Sequence, residues 1–219
     1  MKTSPRKNPE ILSIDEIKKI ISVAPKPYDM AIRCIFNMGA GLRVSEMLRL
    51  SWVHIRWTEW LKDKDNYGIA IIKQSKGEKD RVVNIPSKLM QDLFDYAKSK
   101  KIINEFNVPE GGVIFSFGIT NFRPNLRTED LDKWKYEYLK HAYNKFRYNI
   151  IQKYCEPAIN KKIKIHSLRH SRATYLYEVE KVPIERIQML LGHSDIQTTM
   201  IYTKINPIST FDLIENKEI

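Results

Sequence analysis

Helix-start and helix-stop signals cut this chain into short segments with apolar residues at helical spacing, and a single long stretch departs from that pattern. Ser13-Ile14-Asp15-Glu16 is a capping box. The Ser oxygen and the Glu carboxylate satisfy free N–H groups at a helix start, and Ile17, Ile20 and Ile21 supply the apolar face. A second helix is expected from about Tyr28 to Met38, stopping at Gly39. Gly39-Ala40-Gly41 turns the chain into a short third helix that begins near Leu42. The departure is Gly68 to Pro86, which reads as a hairpin. Ile69-Ala70-Ile71-Ile72 is β-rich, Lys76-Gly77-Glu78-Lys79-Asp80 is a polar turn, and Val82-Val83 returns. Ser87 is expected to cap a helix through about Lys100, and Gly111-Gly112 to precede a short apolar strand, Val113-Ile114-Phe115.

From Thr128 to about Tyr154 the pattern is helical, basic and aromatic-rich. Trp134, Tyr138 and Leu139 are expected to face inward while Lys133, Lys140 and Lys145 stay in water. His166 to about Val179 reads as helix. Pro183 and Gly192 bracket another, Ile184 to Leu191, and Ser194 caps a last one carrying Thr198, Thr199 and Tyr202. Asn206-Pro207 opens a terminal helix with Ile208, Phe211 and Ile214 on one side. The sum is a mainly α chain with a small antiparallel β-sheet or hairpin. Residues 1–11 form a basic extension, 12–204 a single domain and 205–219 a tail.

Composition narrows the partners. With 219 residues, 42% hydrophobic and 29% charged, the chain can bury a core and is no disordered tail. Its 37 Lys and Arg exceed 26 Asp and Glu, a formal net charge of +11. Such an excess suits a polyanion, nucleic acid first, because Lys and Arg neutralise phosphates and release counterions. Two cysteines, Cys34 and Cys155, make no disulfide framework, and no Cys/His cluster has zinc spacing. No apolar run approaches the ~20 residues that cross a bilayer, and no signal-peptide core follows the basic N-terminus. The expectation is a soluble protein of a reducing compartment. Cys34 is assigned to the core, and Trp52, Trp57 and Trp60 to packing.

Three segments could carry chemistry. Gly41-Leu42-Arg43-Val44-Ser45-Glu46 places an Arg at a helix start after a glycine turn. Lys76-Gly77-Glu78-Lys79-Asp80-Arg81 is a lysine-rich hairpin tip. His166-Ser167-Leu168-Arg169-His170 sets His166 and Arg169 one helical turn apart on one face, and Leu191-Gly192-His193 and Tyr202 follow.

These boxes, in this order, resemble the tyrosine recombinase (phage-integrase) superfamily, in its Xer-like, archaeal or mobile-element catalytic domain. The family's G-L-R-x-S-E pattern is matched by Gly41 to Glu46. Its lysine hairpin is matched by Lys76 to Arg81, and its H-x-L-R-H, L-G-H and Tyr series by His166 to His170, Leu191 to His193 and Tyr202. The matching runs from about Leu12 to Lys204, loosely between Lys98 and Lys164. The resemblance implies cleavage and rejoining of double-stranded DNA through a 3′-phosphotyrosyl bond, with no metal, ATP or other cofactor. Tyr202 would be the nucleophile, the covalent link conserving the phosphodiester energy. Arg43 and Arg169 would donate forked N–H pairs to the non-bridging oxygens, which suits a planar, permanently charged guanidinium. Lys76 would be the general acid for the leaving 5′-oxygen, and His166 a base for the tyrosine and an acid in reverse. His193 would hydrogen-bond the phosphate or position the tyrosine. Because Tyr has a pKa of ~10, the cationic site must assist its deprotonation.

Glu46 is assigned to buttressing Arg43, and His170 to a supporting place beside Arg169. Lys79, Arg81, Lys164 and Arg172 are assigned to flanking DNA contacts. Most recombinases of this family precede this domain with a helical half that closes a clamp on DNA, whereas here only about a dozen residues precede the first helix, that half being either removed or naturally absent. That predicts weak, poorly specific DNA binding by this chain alone. Self-association on DNA as a synaptic tetramer, with residues 205–219 docking on a neighbouring protomer, is expected, as is a cytoplasmic, nucleoid-associated location with no membrane partner. A type IB topoisomerase-like activity and a catalytically silent DNA-binding protein of the same fold are the rival readings.

Overall fold

The computed structural model describes residues 10–72, 80–104, 106, 108–117 and 128–191, with the backbone alone at 128–136. Helix α1 (Ile14–Val23) starts at the expected capping box: Glu16 N–H donates to Ser13 Oγ at 3.2 Å, and Ser13 N–H donates to Glu16 Oε2 at 2.9 Å. Its apolar face, Ile17 and Ile20, packs on α2 (Tyr28–Asn37). Helix α2 is buried from Asp29 to Asn37, so it lies at the centre, covered also by three helices introduced below. Cys34 is buried within it, and Trp52, Trp57 and Trp60 are buried nearby, as their composition suggested. The turn after α2 leads into α3 (Val44–Arg49), and α4 (Trp57–Trp60) precedes the hairpin.

The hairpin pairs β1 (Gly68–Ile72) antiparallel to β2 (Arg81–Ile85), with Gly68 opposite Ile85 and Ile72 opposite Arg81. These are the two strands of the sheet among the described residues; the tip, 73–79, lies outside them. The strand expected at Val113-Ile114-Phe115 does not form. Val113 makes a single bridge with Ser51, and Ile114 N–H donates to Leu50 O at 2.8 Å. The chain at Trp52–His54 coils into a 3₁₀ turn, so no extended partner continues the ladder, although Ile114 and Phe115 are buried as expected.

Helix α5 (Ser87–Ser99) buries Leu89, Met90, Leu93, Phe94 and Ala97. Ser87 is its first helical residue rather than its cap, and its hydroxyl donates to Lys64 O at 2.9 Å. Helix α6 (Thr128–Phe146) continues into π-helical turns, Arg147–Cys155, and then into α7 (Glu156–Ile159). The segment therefore runs past the expected end near Tyr154, stopping at Asn160 in the left-handed region at φ 51°. Tyr138 is buried, Leu139 and Lys145 are half-buried and Lys140 is exposed. Trp134 and Lys133 fall where only the backbone is described.

Helix α8 (Ile165–Glu178) packs across α2 and is buried on most of its circumference, including Ser167, Leu168, Arg169, Ser171 and Arg172. Helix α9 (Ile184–Leu191) joins α8 through a separate apolar cluster of Ala40, Ala173, Leu176, Val182, Ile187 and Leu191 among others. The helices expected after Ser194 and Asn206 lie outside the described residues. Among the described residues no helix is long and apolar enough to cross a membrane.

Candidate active site

The turn after α2 is the meeting point of four chain segments. Gly39 and Gly41 have φ of +56° and +101°, which glycine adopts without a Cβ clash. Gly39 N–H donates to Asn84 O on β2 at 3.1 Å. A Cβ on Gly41 would lie 3.1 Å from Ile35 O and 3.3 Å from Arg169 Cα, so glycine lets the backbone of α8 approach the turn. Residues far apart in the sequence are thereby brought to one place.

Arg169 is 4% exposed. Its Nη1 donates to Gly41 O at 2.6 Å and its Nη2 to Leu191 O at 2.7 Å, at the end of α9. The fork is thus fixed from both sides by backbone carbonyls, with Glu46 at 3.8 Å. Arg43 is the N-cap of α3. Its N–H donates to Glu46 Oε2 at 2.7 Å and its Nη1 to Glu46 Oε1 at 3.2 Å, so the carboxylate closes the helix start and holds the arginine. Arg43 keeps 24% of its side chain exposed, the opening through which a phosphate could reach the cluster.

Burial pushes the Glu46 carboxyl up. The Arg81 hydrogen bond and charge, the Arg43 N–H and Arg169 together outweigh it, and the net effect is a pKa below its ordinary 4.5. His166 stands exposed one turn before Arg169. Loss of hydration, then the charges of Arg169 and Arg43, hold its pKa below 6.5, so it is neutral and able to accept a proton near pH 7. His170 lies beside it, ring centroids 6.1 Å apart and nearly perpendicular. Loss of hydration, His166 and Arg169 bring His170 down to about 4. No group of three His, Cys, Asp or Glu suited to a metal gathers among the described residues.

The structure therefore brings Arg43, Glu46, His166, Arg169 and His170 together. Lys164 is exposed at the N-cap of α8, open to solvent as a phosphate contact requires. Two assignments are corrected. Arg172 is 1% exposed, its guanidinium 5.7 Å from the Phe36 and Tyr175 ring centres and 3.6 Å from Glu180, so it cannot touch a duplex. Arg81 has a side chain 10% exposed and turns inward: Nη1 and Nη2 donate to Glu46 Oε1 and Oε2 at 2.5 and 3.0 Å, and Nε to Leu190 O at 3.1 Å. Strand alternation carried the signal, because Arg81 shares the face of Val83 and Ile85. The carbonyls that grip Arg169 had no sequence signal. Lys76, Lys79, His193 and Tyr202 lie outside the described residues.

Comparisons with known proteins fit this arrangement. Residues 10–208 match the profile of the phage integrase family. The chain is similar to the tyrosine recombinase XerA of Thermococcus onnurineus (strain NA1), 33% identical over 203 residues, 92% of this chain and 60% of the relative. It is likewise similar to that of Thermococcus kodakarensis (strain ATCC BAA-918 / JCM 12380 / KOD1), 34% identical over 203 residues with the same coverage. The chain thus spans 60% of the length of these relatives. A crystal structure of XerA recombinase aligns with a TM-score of 0.57 at 26% identity, covering 94% of this chain and 62% of that one. The XerH site-specific recombinase bound to difH substrate, a pre-cleavage complex, shares the fold at a TM-score of 0.58 and 21% identity, covering 93% and 53%.

Proposed function

The chain belongs to the phage integrase family, and from that premise we propose that it is the catalytic part of a site-specific DNA recombinase. It cleaves and rejoins double-stranded DNA through a 3′-phosphotyrosyl intermediate. The observation that carries this reading is the convergence of Arg43 and Arg169 on one carboxylate, beside a neutral His166, at a turn that two glycines permit.

Arg43 and Arg169 neutralise the non-bridging oxygens as the phosphorus becomes five-coordinate, and their fixed donors need no reorganisation at the moment of reaction. Tyr202 Oη attacks phosphorus, its proton passing to His166, while the bond to the 5′-oxygen breaks and Lys76 supplies the proton that leaves it a hydroxyl. His193 steadies the phosphate or the tyrosine. The reverse sequence rejoins the strand, so no energy source is consumed. DNA is the partner, with protomers assembling on it as a tetramer and the protein residing with the nucleoid.

The test is to incubate the chain with labelled nicked duplexes from a random-sequence pool and map any covalently linked 3′ end. Adduct that disappears in Tyr202→Phe, with DNA affinity nearly unchanged, supports the reading, since one hydroxyl is lost and no positive charge. Adduct surviving in Tyr202→Phe moves the nucleophile elsewhere, and supercoil relaxation without a defined site points to a topoisomerase.

A further inference from the structure

We propose that Arg81 is a positioning residue for the phosphate-binding pair: it takes up the charge of Glu46 and so leaves Arg43 and Arg169 available to the scissile phosphate. The proposal rests on the recombinase reading above.

The Glu46 side chain is 2% exposed. A buried carboxylate without compensation is costly, so it draws in whatever cations surround it. Three guanidiniums do so, unequally. Arg81 engages both oxygens at 2.5 and 3.0 Å, Arg43 one through its side chain at 3.2 Å, and Arg169 stands off at 3.8 Å. The cation that compensates Glu46 most closely is therefore Arg81, the one that spends both Nη groups on the carboxylate. Arg43 keeps its exposure, and Arg169 keeps its fork on Gly41 O and Leu191 O. Without Arg81 the same carboxylate would sit between the two catalytic candidates alone. Each would be drawn onto it, and the field they offer a phosphate would fall.

A second contact belongs to the same guanidinium. Arg81 Nε holds Leu190 O while Arg169 holds the adjacent Leu191 O, so two arginines from β2 and α8 grip consecutive carbonyls at the end of α9. The chain leaves that point toward Gly192 and His193. Lysine could not replace Arg81 here, because a point charge on a flexible stem cannot satisfy two carboxylate oxygens and a carbonyl in one plane.

Arg81→Met, Arg81→Lys, Glu46→Gln and the double variant Arg81→Met/Glu46→Gln separate this from the alternatives. The readouts are the single-turnover rate of covalent adduct on the nicked duplexes and the affinity for the same DNA across a salt series. Arg81→Met should slow adduct formation by roughly 10–100-fold, the range for partners that orient a primary ligand, with affinity and salt slope unchanged. Arg81→Lys, which keeps the charge and the fold, should fall between. The double variant should be faster than Arg81→Met alone, because the neutral amide introduced by Glu46→Gln no longer needs a third cation. Weaker binding with a slope reduced by about one in Arg81→Met would make it a phosphate contact and overturn the proposal. So would adduct rates that match the unaltered chain in Arg81→Met, or a double variant no faster than the single. If the unaltered chain forms no adduct, the recombinase reading itself fails first.

Discussion

Arg172 and Arg169 sit one turn apart on α8, both almost wholly buried, and their environments assign them different work. Arg169 is held by carbonyls beside Glu46, whereas Arg172 lies between Phe36 and Tyr175 facing Glu180. Arg43→Ala and Arg169→Ala should each lower the adduct rate by roughly 10²-fold or more, as for loss of a preorganised donor. Lys164→Ala should instead weaken DNA binding and reduce its salt slope by about one. Arg172→Ala belongs with neither pair. It removes a cation 3.6 Å from buried Glu180 and the packing against Phe36 and Tyr175, and should lower the urea midpoint with the salt slope of DNA binding unchanged. His170 adds a pH dependence. Its folded pKa of about 4 lies below the ordinary 6.5, so between those values the unfolded chain binds more protons. Stability should therefore fall as pH drops from 6.5 toward 4, and His170→Gln should flatten that slope in urea midpoints measured across the window. A slope identical in the variant assigns the loss to other groups.

At the scale of elements, the Gly39–Gly41 turn decides the site more than any helix does. It receives β2 through the Gly39 bond to Asn84, and α8 through the contact of Gly41 with Arg169. Gly41→Ala meets both a φ of +101° and two atoms at 3.1 and 3.3 Å, of which one is backbone oxygen and the other the Cα of α8. Strain of that kind costs on the order of 1–3 kcal/mol. The variant should unfold at lower urea and should also lose adduct rate, because relief of the clash moves Arg169 away from Gly41 O. Loss of stability with an unchanged rate would show that α8 yields without disturbing its arginine. The hairpin is equally consequential. Its register places Arg81 opposite Ile72, which sets Arg81 on the same inward face as Val83 and Ile85.

The whole molecule has a main core around α2 and a smaller cluster that attaches α9 to α8. Among the described residues, both clusters are built from side chains between Leu12 and Leu191. Truncation after Lys204 should therefore leave a folded domain with a cooperative urea transition. Given the proposed docking of the tail on a neighbouring protomer, the same truncation should disrupt higher-order assembly on DNA and alter cleavage. Band-shift patterns at rising protein concentration and the adduct rate read those two effects. Unchanged assembly and cleavage, or wholesale unfolding, would each remove the coupling role.

Local signals determined much of this protein. The capping box at Ser13, the glycine turn at Gly39-Ala40-Gly41 and the β-rich run at Ile69 to Ile72 act within a few residues, and each produced the element it predicted. Motif spacing likewise brought Arg43, Glu46, His166 and Arg169 to one site. What only tertiary structure decided was which way a charged side chain turns. Positive charge alone marked Arg81 and Arg172 for DNA, but β2 alternation and the buried circumference of α8 carried both inward. Similarly, Val113-Ile114-Phe115 had strand composition and no strand, because its neighbour at Trp52 coils away and a ladder needs two extended chains. A residue's chemistry is written in its own side chain; its partners are set by the fold, from three residues away for Arg43 and Glu46 to 128 for Gly41 and Arg169.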